Sequence, residues 1–231
     1  MIPVNKIGKF YSGKLSIQIK KFCYICKAFL CFILIGVICN GRPSLASERL
    51  IHVSSIKEMR QKNVVLQNWD LSCAAAALAT VMRYQFGVPV TERSVALGLI
   101  NRKEYIANPY LVRQRQGFSL LDMKRYVDSL GYEGIGLGDL ILSDIYIRAP
   151  IIVPVNLQGY PHFVIFRGGT DKTVLIADPA FGNVTMSVEK FLKGWIKYKD
   201  LGRVGFMVTI DGKTVSAGKL SAGASEFLIM R

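Results

Sequence analysis

The sequence predicts an α+β domain whose helical half comes first and whose antiparallel sheet comes second. Helical patterns with N-cap residues and closing glycines dominate residues 73–130, whereas β-branched and aromatic runs bounded by turn residues dominate from Pro150 onward. Helices followed by strands, instead of a regular alternation of the two, favour an antiparallel sheet against which the helices pack.

Residues 1–46 have the pattern of a signal peptide. Six lysines and no acid precede an apolar run, residues 28–39, which is short for a membrane span but typical of a signal-peptide core. Ser44-Leu45-Ala46 offers small residues at the cleavage positions. We therefore expect a periplasmic protein, and the alternative is an uncleaved anchor, starting near Phe22, that holds the chain on the inner membrane facing the periplasm.

Charge and cysteine usage are informative once this leader is set aside. Residues 47–231 carry a formal net charge of +7, and their basic residues are scattered, so we expect no nucleic-acid partner. Four of the five cysteines lie in the leader, which leaves Cys73 alone in the predicted mature chain. A lone thiol in an oxidising compartment is prone to oxidation and to intermolecular pairing. Its presence there therefore predicts a functional role for Cys73.

The elements of residues 47–231 can be predicted in order. Residues 47–66 are expected to form an arm ending in a strand at 64–66, and residues 211–231 a flexible C-terminal tail, which leaves 47–210 as the folded domain. A helix from Cys73 should end by Gly87. The remaining predicted elements are helices at 91–100, 120–130 and 187–197, a helix fragment with a loop at 101–117, a short helix or crossover at 139–148, and strands at 132–138, 151–156, 162–167, 173–177 and 204–210.

Cys73 lies at the junction between an extended segment and the first long helix. Asp70 and Ser72 are good N-cap residues, and the alanines after Cys73 have high helix propensity. A thiol in the first turn of a helix faces unpaired N–H groups and the positive end of the helix dipole. The sequence therefore predicts a lowered thiol pKa and a nucleophilic Cys73.

His162 and Asp178 lie on two predicted strands that a short loop, Gly168–Lys172, joins into a hairpin. If the loop is centred on Thr170, His162 lies directly opposite Asp178 on the same face. A slip of one residue would turn the two side chains to opposite faces. In the centred register, His162 can act as the base for Cys73, and Asp178 can fix the imidazole tautomer.

Gln67 completes the predicted site, because a side-chain amide just upstream of the nucleophile can donate to an oxyanion alongside the Cys73 N–H. We expect no cofactor and no metal. A zinc enzyme is disfavoured because residues 47–231 hold two distant histidines, one cysteine and neither an H-E-x-x-H motif nor paired cysteines.

Taken together, these residues resemble the C39 cysteine peptidases, a papain-like family. The resemblance implies a papain-like cysteine peptidase fold, with Cys73, His162 and Asp178 as catalytic residues and Gln67 in the oxyanion hole. The chain is similar in particular to free-standing periplasmic members of the family that are associated with functional-amyloid secretion. The resemblance rests on Gln67 six residues before Cys73 and on the segments 117–123, 130–132, 161–165 and 177–179.

The resemblance implies an exported cysteine endopeptidase that cleaves a secreted peptide or protein through a thioester. Its substrate would be an amyloid subunit or a leader peptide, and the leader of this chain, if uncleaved, would be its one contact with the membrane. Ala74 departs from the glycine usual after the family's cysteine, and its methyl group could crowd a substrate backbone. A non-catalytic binding module of a secretion system is therefore an alternative, and another papain-like activity, such as cell-wall amide hydrolysis or acyl transfer, is a second.

Overall fold

The computed structural model describes residues 54–157, 159–212 and 218–229, and the predicted signal peptide, residues 1–46, lies outside them. Helices fill the first half of this region and a sheet fills the second, so the predicted α+β organisation is confirmed. No helix in the described ranges is both long and apolar enough to cross a bilayer. The helices of the first half are α1 (Ile56–Gln61), α2 (Cys73–Tyr84), α3 (Glu92–Ile100), α4 (Lys103–Ala107), α5 (Tyr110–Gln114) and α6 (Leu120–Ser129).

The second half is built on one six-stranded antiparallel sheet and a separate two-stranded hairpin. The sheet strands are β1 (Glu133–Leu137), β2 (Ile151–Val155), β3 (His162–Gly169), β4 (Thr173–Asp178), β5 (Gly182–Ser187) and β8 (Gly205–Thr209), and the hairpin pairs β6 (Lys197–Tyr198) with β7 (Gly202–Arg203). The order across the sheet is β1-β8-β2-β3-β4-β5. Three further helices are α7 (Leu142–Arg148), α8 (Val188–Gly194) and α9 (Glu226–Ile229).

Helix α2 is buried on all sides between the other helices and the sheet. Every residue from Cys73 to Met82 is buried. Its run of alanines lets neighbouring elements approach closely, and a helix buried all round needs no polar face. The helix ends at Tyr84, before Gly87, as predicted.

Apolar clusters cover the sheet on both faces. One cluster joins α2 to Ile152, Ile165 and Phe206 of the sheet. The opposite face is covered by Phe191 within α8 and Trp195 just beyond it, together with residues of α7. Because both faces are covered, β2 is buried at all five positions and reads as a continuous apolar run.

A buried polar cluster joins both ends of the described chain to the sheet. The Asn183 side-chain amide donates to the carbonyl oxygens of Met59, Arg60 and Lys62 at the end of α1, at 3.3, 3.2 and 2.8 Å. Its oxygen accepts a hydrogen bond from Arg167 Nη1 at 2.6 Å. Arg167 in turn donates to the Leu220 carbonyl and pairs with Glu226 at 2.8 Å.

This cluster changes the expectation for the C-terminal tail. Leu220, within the tail expected to be flexible, is fully buried in the cluster around α2. The Lys219 N–H donates to the Tyr84 carbonyl at 3.1 Å. Residues 218–229 therefore pack against the domain, because the buried Arg167 guanidinium needs the carbonyl and carboxylate oxygens that they supply.

Other elements also differ from those predicted. Within the described residues, Val64–Leu66 belong to no strand, since the Val65 N–H donates to Thr80 Oγ1 at 2.9 Å and so is satisfied by a helix side chain. The helix predicted over 187–197 ends at Gly194, where Trp195 turns inward and donates from Nε1 to the Val204 carbonyl at 3.0 Å. Strands β5, β6 and β7 were not predicted.

Replacing Asn183 with alanine should destabilise the domain. The change leaves the Arg167 guanidinium and three backbone carbonyls short of a partner, which we expect to lower the free energy of unfolding by about 2–3 kcal/mol. Urea denaturation of the full chain measures this. Lys190→Ala, at an exposed position on α8, is the control and should stay within about 0.5 kcal/mol of the wild type. Equal midpoints for both variants would contradict this account of the cluster.

Candidate active site

Cys73 is the first residue of α2 and lies at the edge of a cleft. Its side chain is 8% exposed. Ser72 occupies the N-cap position but makes no capping hydrogen bond with its side chain, contrary to the expected role of Ser72 or Asp70. The N–H groups of Cys73 and Ala74 therefore remain available to the Cys73 sulfur, and both act to lower its pKa.

The loop before Cys73 is held by a buried carboxylate that the sequence analysis did not single out. Glu92, at the start of α3, is 3% exposed. It accepts hydrogen bonds from the Asn68 N–H at 2.9 and 3.0 Å, from the Asn68 side-chain amide at 2.7 Å, and from the Ser72 hydroxyl. These bonds fix the loop between Gln67 and Cys73, in which Leu71 has a φ of 67°, a conformation unfavourable for a branched side chain.

Burial, and not the helix terminus, decides the state of the thiol. Loss of solvent raises the pKa of Cys73, and the nearby Asp178 carboxylate adds to this. The backbone N–H groups of Phe163, Ala74 and Cys73 act in the opposite direction without reversing the shift. The predicted lowering of the thiol pKa is therefore wrong for the unliganded protein, because desolvation outweighs the N–H groups.

His162 and Asp178 form a buried pair beside this thiol. His162 Nε2 and Asp178 Oδ2 are 3.0 Å apart, and the two residues are 5% and 4% exposed. An ionised carboxylate only accepts, so Nε2 carries the proton and the lone pair of the neutral ring is on Nδ1. The buried Nδ1 has no hydrogen-bond partner among the described residues. Phe163, the neighbour of His162, places its backbone N–H at the Cys73 sulfur.

The hairpin register explains why the pair meets. Thr170 and Thr173 bracket a two-residue turn, after which Gly168 lies opposite Leu175. Continued without a break, this register would turn His162 and Asp178 to opposite faces. A β-bulge between Phe166 and Gly168 shifts the pairing by one residue.

Beyond the bulge, Ile165 lies opposite Ala177. Continuing that register places Asp178 opposite Val164, two residues from His162 and on the same face. The predicted contact between His162 and Asp178 is therefore confirmed. The predicted direct pairing is wrong, because the loop is centred beyond Thr170 and the bulge intervenes; the two residues are diagonal neighbours.

Two further contacts fix the pair. Asp178 ends β4, and its second oxygen, Oδ1, accepts the Ala180 N–H at 2.8 Å, which leaves Oδ2 for the imidazole. The ring of Tyr160 covers the imidazole of His162, with centroids 5.0 Å apart. The pair is thereby oriented by the following turn and shielded on one side by an aromatic ring.

Gln67 lies in the segment that runs along the end of β4. Its backbone N–H donates to the Pro179 carbonyl at 2.8 Å. This bond joins the loop before Cys73 to the residue after Asp178. The structure thus brings Cys73, His162 and Asp178 together and ties the Gln67 backbone beside them, while the oxyanion role of its side chain stays a prediction.

The cleft beside Cys73 and His162 has a volume of about 340 Å³. Part of its wall comes from the helical half, namely Arg115, Gln116, Phe118, Ser119 and Leu120. Another part comes from Tyr198 and Leu201 of the hairpin region that was not predicted, with Ile196 and Val204 on either side of it. Gly202 was the sequence signal for that hairpin. It follows a three-residue loop and has a φ of 61°. Hairpins with short loops require a left-handed residue near the end of the loop, which favours glycine there.

No group of three metal-ligating side chains occurs within the described residues.

Ala74 stands where the family usually has glycine. It is fully buried, and its methyl group packs in the apolar cluster of α2. It therefore does not crowd the wall of the cleft.

Comparison with known proteins now identifies the family. Residues 61–199 match the Peptidase C39 family. The chain belongs to this family. It is 38% identical over 157 residues to the "Probable functional amyloid protease FapD" of Pseudomonas aeruginosa, which covers 67% of each chain. It is 42% identical over 146 residues to the protein of the same name from Pseudomonas fluorescens, covering 62% of this chain and 61% of the relative.

A solved structure supports the fold. The peptidase domain of Streptococcus ComA, a bi-functional ABC transporter, superimposes with a TM-score of 0.51 at 18% identity, covering 65% of this chain and all of that domain. The α+β papain-like fold expected from the sequence is thus confirmed. Membership of the C39 family makes the chain a relative of peptidases, and it spans 67% and 61% of the lengths of the two Pseudomonas proteins.

We expect Glu92→Gln to destabilise the loop that precedes Cys73. The substitution keeps the shape of the side chain but turns one acceptor into a donor that faces the donors of Asn68 and Ser72. A loss of about 2 kcal/mol in the free energy of unfolding should follow, as measured by urea denaturation. Glu189→Gln, which changes an exposed carboxylate in the first turn of α8, is the matched control. A Glu92→Gln protein as stable as that control would show that the loop does not depend on this carboxylate.

The raised thiol pKa predicts an alkaline loss of stability. The folded protein holds the Cys73 proton more tightly than the unfolded chain, so the stabilisation is complete below the unfolded thiol pKa of about 8.5 and is lost above it. Between about pH 8.5 and 10, the wild type should lose unfolding free energy relative to Cys73→Ala, with a slope of up to about 1.4 kcal/mol per pH unit. The four other cysteines are present in both proteins and cancel. A difference that grows in favour of the wild type as the pH rises towards about 8.5, and then stays level, would instead indicate a thiolate in the folded state.

Proposed function

We propose that this chain is an exported cysteine endopeptidase that cleaves a secreted peptide or protein through a thioester acyl-enzyme. The observation that supports this best is the buried His162–Asp178 hydrogen bond. Within the described residues, it leaves His162 Nδ1 without a partner, beside the one cysteine of this region, which starts a helix. A buried imidazole with one nitrogen bound to a carboxylate and the other bare is suited to proton transfer.

In the proposed first step, His162 Nδ1 takes the thiol proton as Sγ attacks the carbonyl carbon of the scissile bond. Because burial raises the pKa of the Cys73 thiol, this proton transfer accompanies the attack and does not precede it. The negative charge moves to the carbonyl oxygen. Gln67 and the Cys73 N–H are the donors proposed to stabilise it.

Collapse of this tetrahedral species breaks the C–N bond. The amine leaves with the proton held by His162, and the acyl group remains on the sulfur as a thioester. His162, again neutral, then accepts a proton from water as the water oxygen attacks the thioester carbonyl. Collapse of the second tetrahedral species breaks the C–S bond and releases the acid, and the departing sulfur takes back that proton from His162. The hydrogen bond to Asp178 keeps the imidazole tautomer fixed.

The family relatives suggest the substrate class. Two of them are named as probable functional amyloid proteases. We therefore propose a secreted amyloid subunit or a leader peptide as substrate, with the reaction taking place in the periplasm. Neither the leader, residues 1–46, nor its cleavage lies within the described residues, so export rests on the pattern of lysines and apolar residues in the sequence.

Cleavage of a peptide library by the purified full chain tests the peptidase proposal. Cys73→Ala should abolish cleavage, His162→Ala should lower kcat/KM by about 10³-fold or more, and Asp178→Asn should lower it by about 10–10⁴-fold because the tautomer is no longer fixed. Mass spectrometry of new termini gives the readout.

Lys172→Ala, at an exposed turn position of the same hairpin, is the control and should cleave as the wild type does. If the wild type produces no cleavage that Cys73→Ala removes, the peptidase proposal is overturned, and the domain is a binding module that keeps the C39 fold.

A further inference from the structure

The cleft beside Cys73 and His162 contains one permanent charge. Among the described residues that line it, Arg115 is the only lysine or arginine, and none is an aspartate or glutamate. Its neighbours in the wall include Phe118 and Leu120, which are apolar. A cation on an otherwise uncharged wall favours a ligand that carries a negative charge.

Arg115 is held in place by a buried tyrosine. Its Nη1 donates to the Tyr105 hydroxyl at 3.3 Å, and its guanidinium carbon lies 5.6 Å from the centroid of the Tyr105 ring. Tyr105 is 1% exposed and donates its own proton to Asp122 Oδ2 at 2.7 Å. Burial and this hydrogen bond raise the pKa of Tyr105, so its oxygen stays available to accept from Arg115.

This arrangement orders the guanidinium without neutralising it. The Asp122 carboxylate, which lies behind Tyr105, is paired with Arg102, and Glu104 is shared by Arg102 and Arg125. No carboxylate lies within ion-pairing distance of Arg115 in the described part of the chain. Ordering a long side chain before binding removes an entropic cost that a ligand would otherwise have to offset.

We propose that Arg115 is a specificity-determining residue that binds an acidic side chain of the peptide substrate close to the scissile bond. This inference rests on the proposed peptidase function and adds a substrate preference to it. The planar guanidinium is exposed at the cleft and presents N–H donors in a geometry that matches a carboxylate.

The experiment uses the purified full chain and a synthetic peptide library with blocked ends. We expect aspartate or glutamate to be enriched at one position relative to the cut. A cleaved peptide is then compared with its twin in which that acid is replaced by glutamine or asparagine. The wild type should prefer the acidic twin by about tenfold in kcat/KM, the size expected for one charge-assisted hydrogen bond.

Arg115 variants assign this preference to the residue. Arg115→Gln should cleave both twins equally, at the rate of the neutral twin, and Arg115→Lys should keep part of the preference. Arg113→Gln, at an exposed position of α5 two residues before Arg115 and outside the cleft, is the matched control and should keep all of it. A structural role of Arg115 alone would slow both twins together and leave their ratio unchanged.

The outcomes separate this inference from the proposed function. Cleavage by the wild type without acid enrichment, or a preference that survives in Arg115→Gln, would overturn the role of Arg115 and leave the peptidase intact. Absence of any cleavage that depends on Cys73 would overturn the proposed function and this inference with it.

Discussion

Burial of helix α2 is the constraint on which the rest of the site depends. The helix contacts other elements on every side, so its N-terminus cannot shift without disturbing the apolar cluster that it shares with β3 and β8. Cys73 is thereby fixed relative to the first residues of β3, where Phe163 places its N–H at the sulfur. The alanines that permit this close packing have no catalytic chemistry, yet they set the position of the one thiol in the described chain.

The sheet supplies the partner of that thiol through a small irregularity. The bulge in β3 places His162 and Asp178 on one face, and its extra residue, Arg167, binds the C-terminal segment and Asn183. One distortion therefore serves two purposes, since it sets the register at the end of the hairpin that carries His162 and its extra residue anchors both ends of the described chain. Buried guanidinium groups are costly unless fully paired, which accounts for the number of oxygens that converge on Arg167.

Sequence patterns predicted the parts of this site that depend on local chemistry. The helix predicted at 120–130, the start of α2 at Cys73 and the proximity of His162 and Asp178 follow from short-range rules. The role of Glu92 could not be predicted, because its partners Asn68 and Ser72 lie 24 and 20 residues earlier in the chain. A carboxylate that is buried by such distant partners carries no local sequence signal. The bulge and strand β5 were missed for a similar reason, since both are set by neighbours across the sheet.

The state of the thiol shows how long-range packing can reverse a local rule. The helix terminus acts as the local rule says, since the N–H groups of Cys73 and Ala74 lower the pKa of the thiol. Burial has the larger effect and keeps the proton on sulfur in the unliganded protein. A neutral thiol resists oxidation better than a thiolate. In the proposed reaction, His162 Nδ1, which has no partner among the described residues, accepts this proton when a substrate carbonyl reaches the sulfur, so burial protects the thiol without removing the route for its proton.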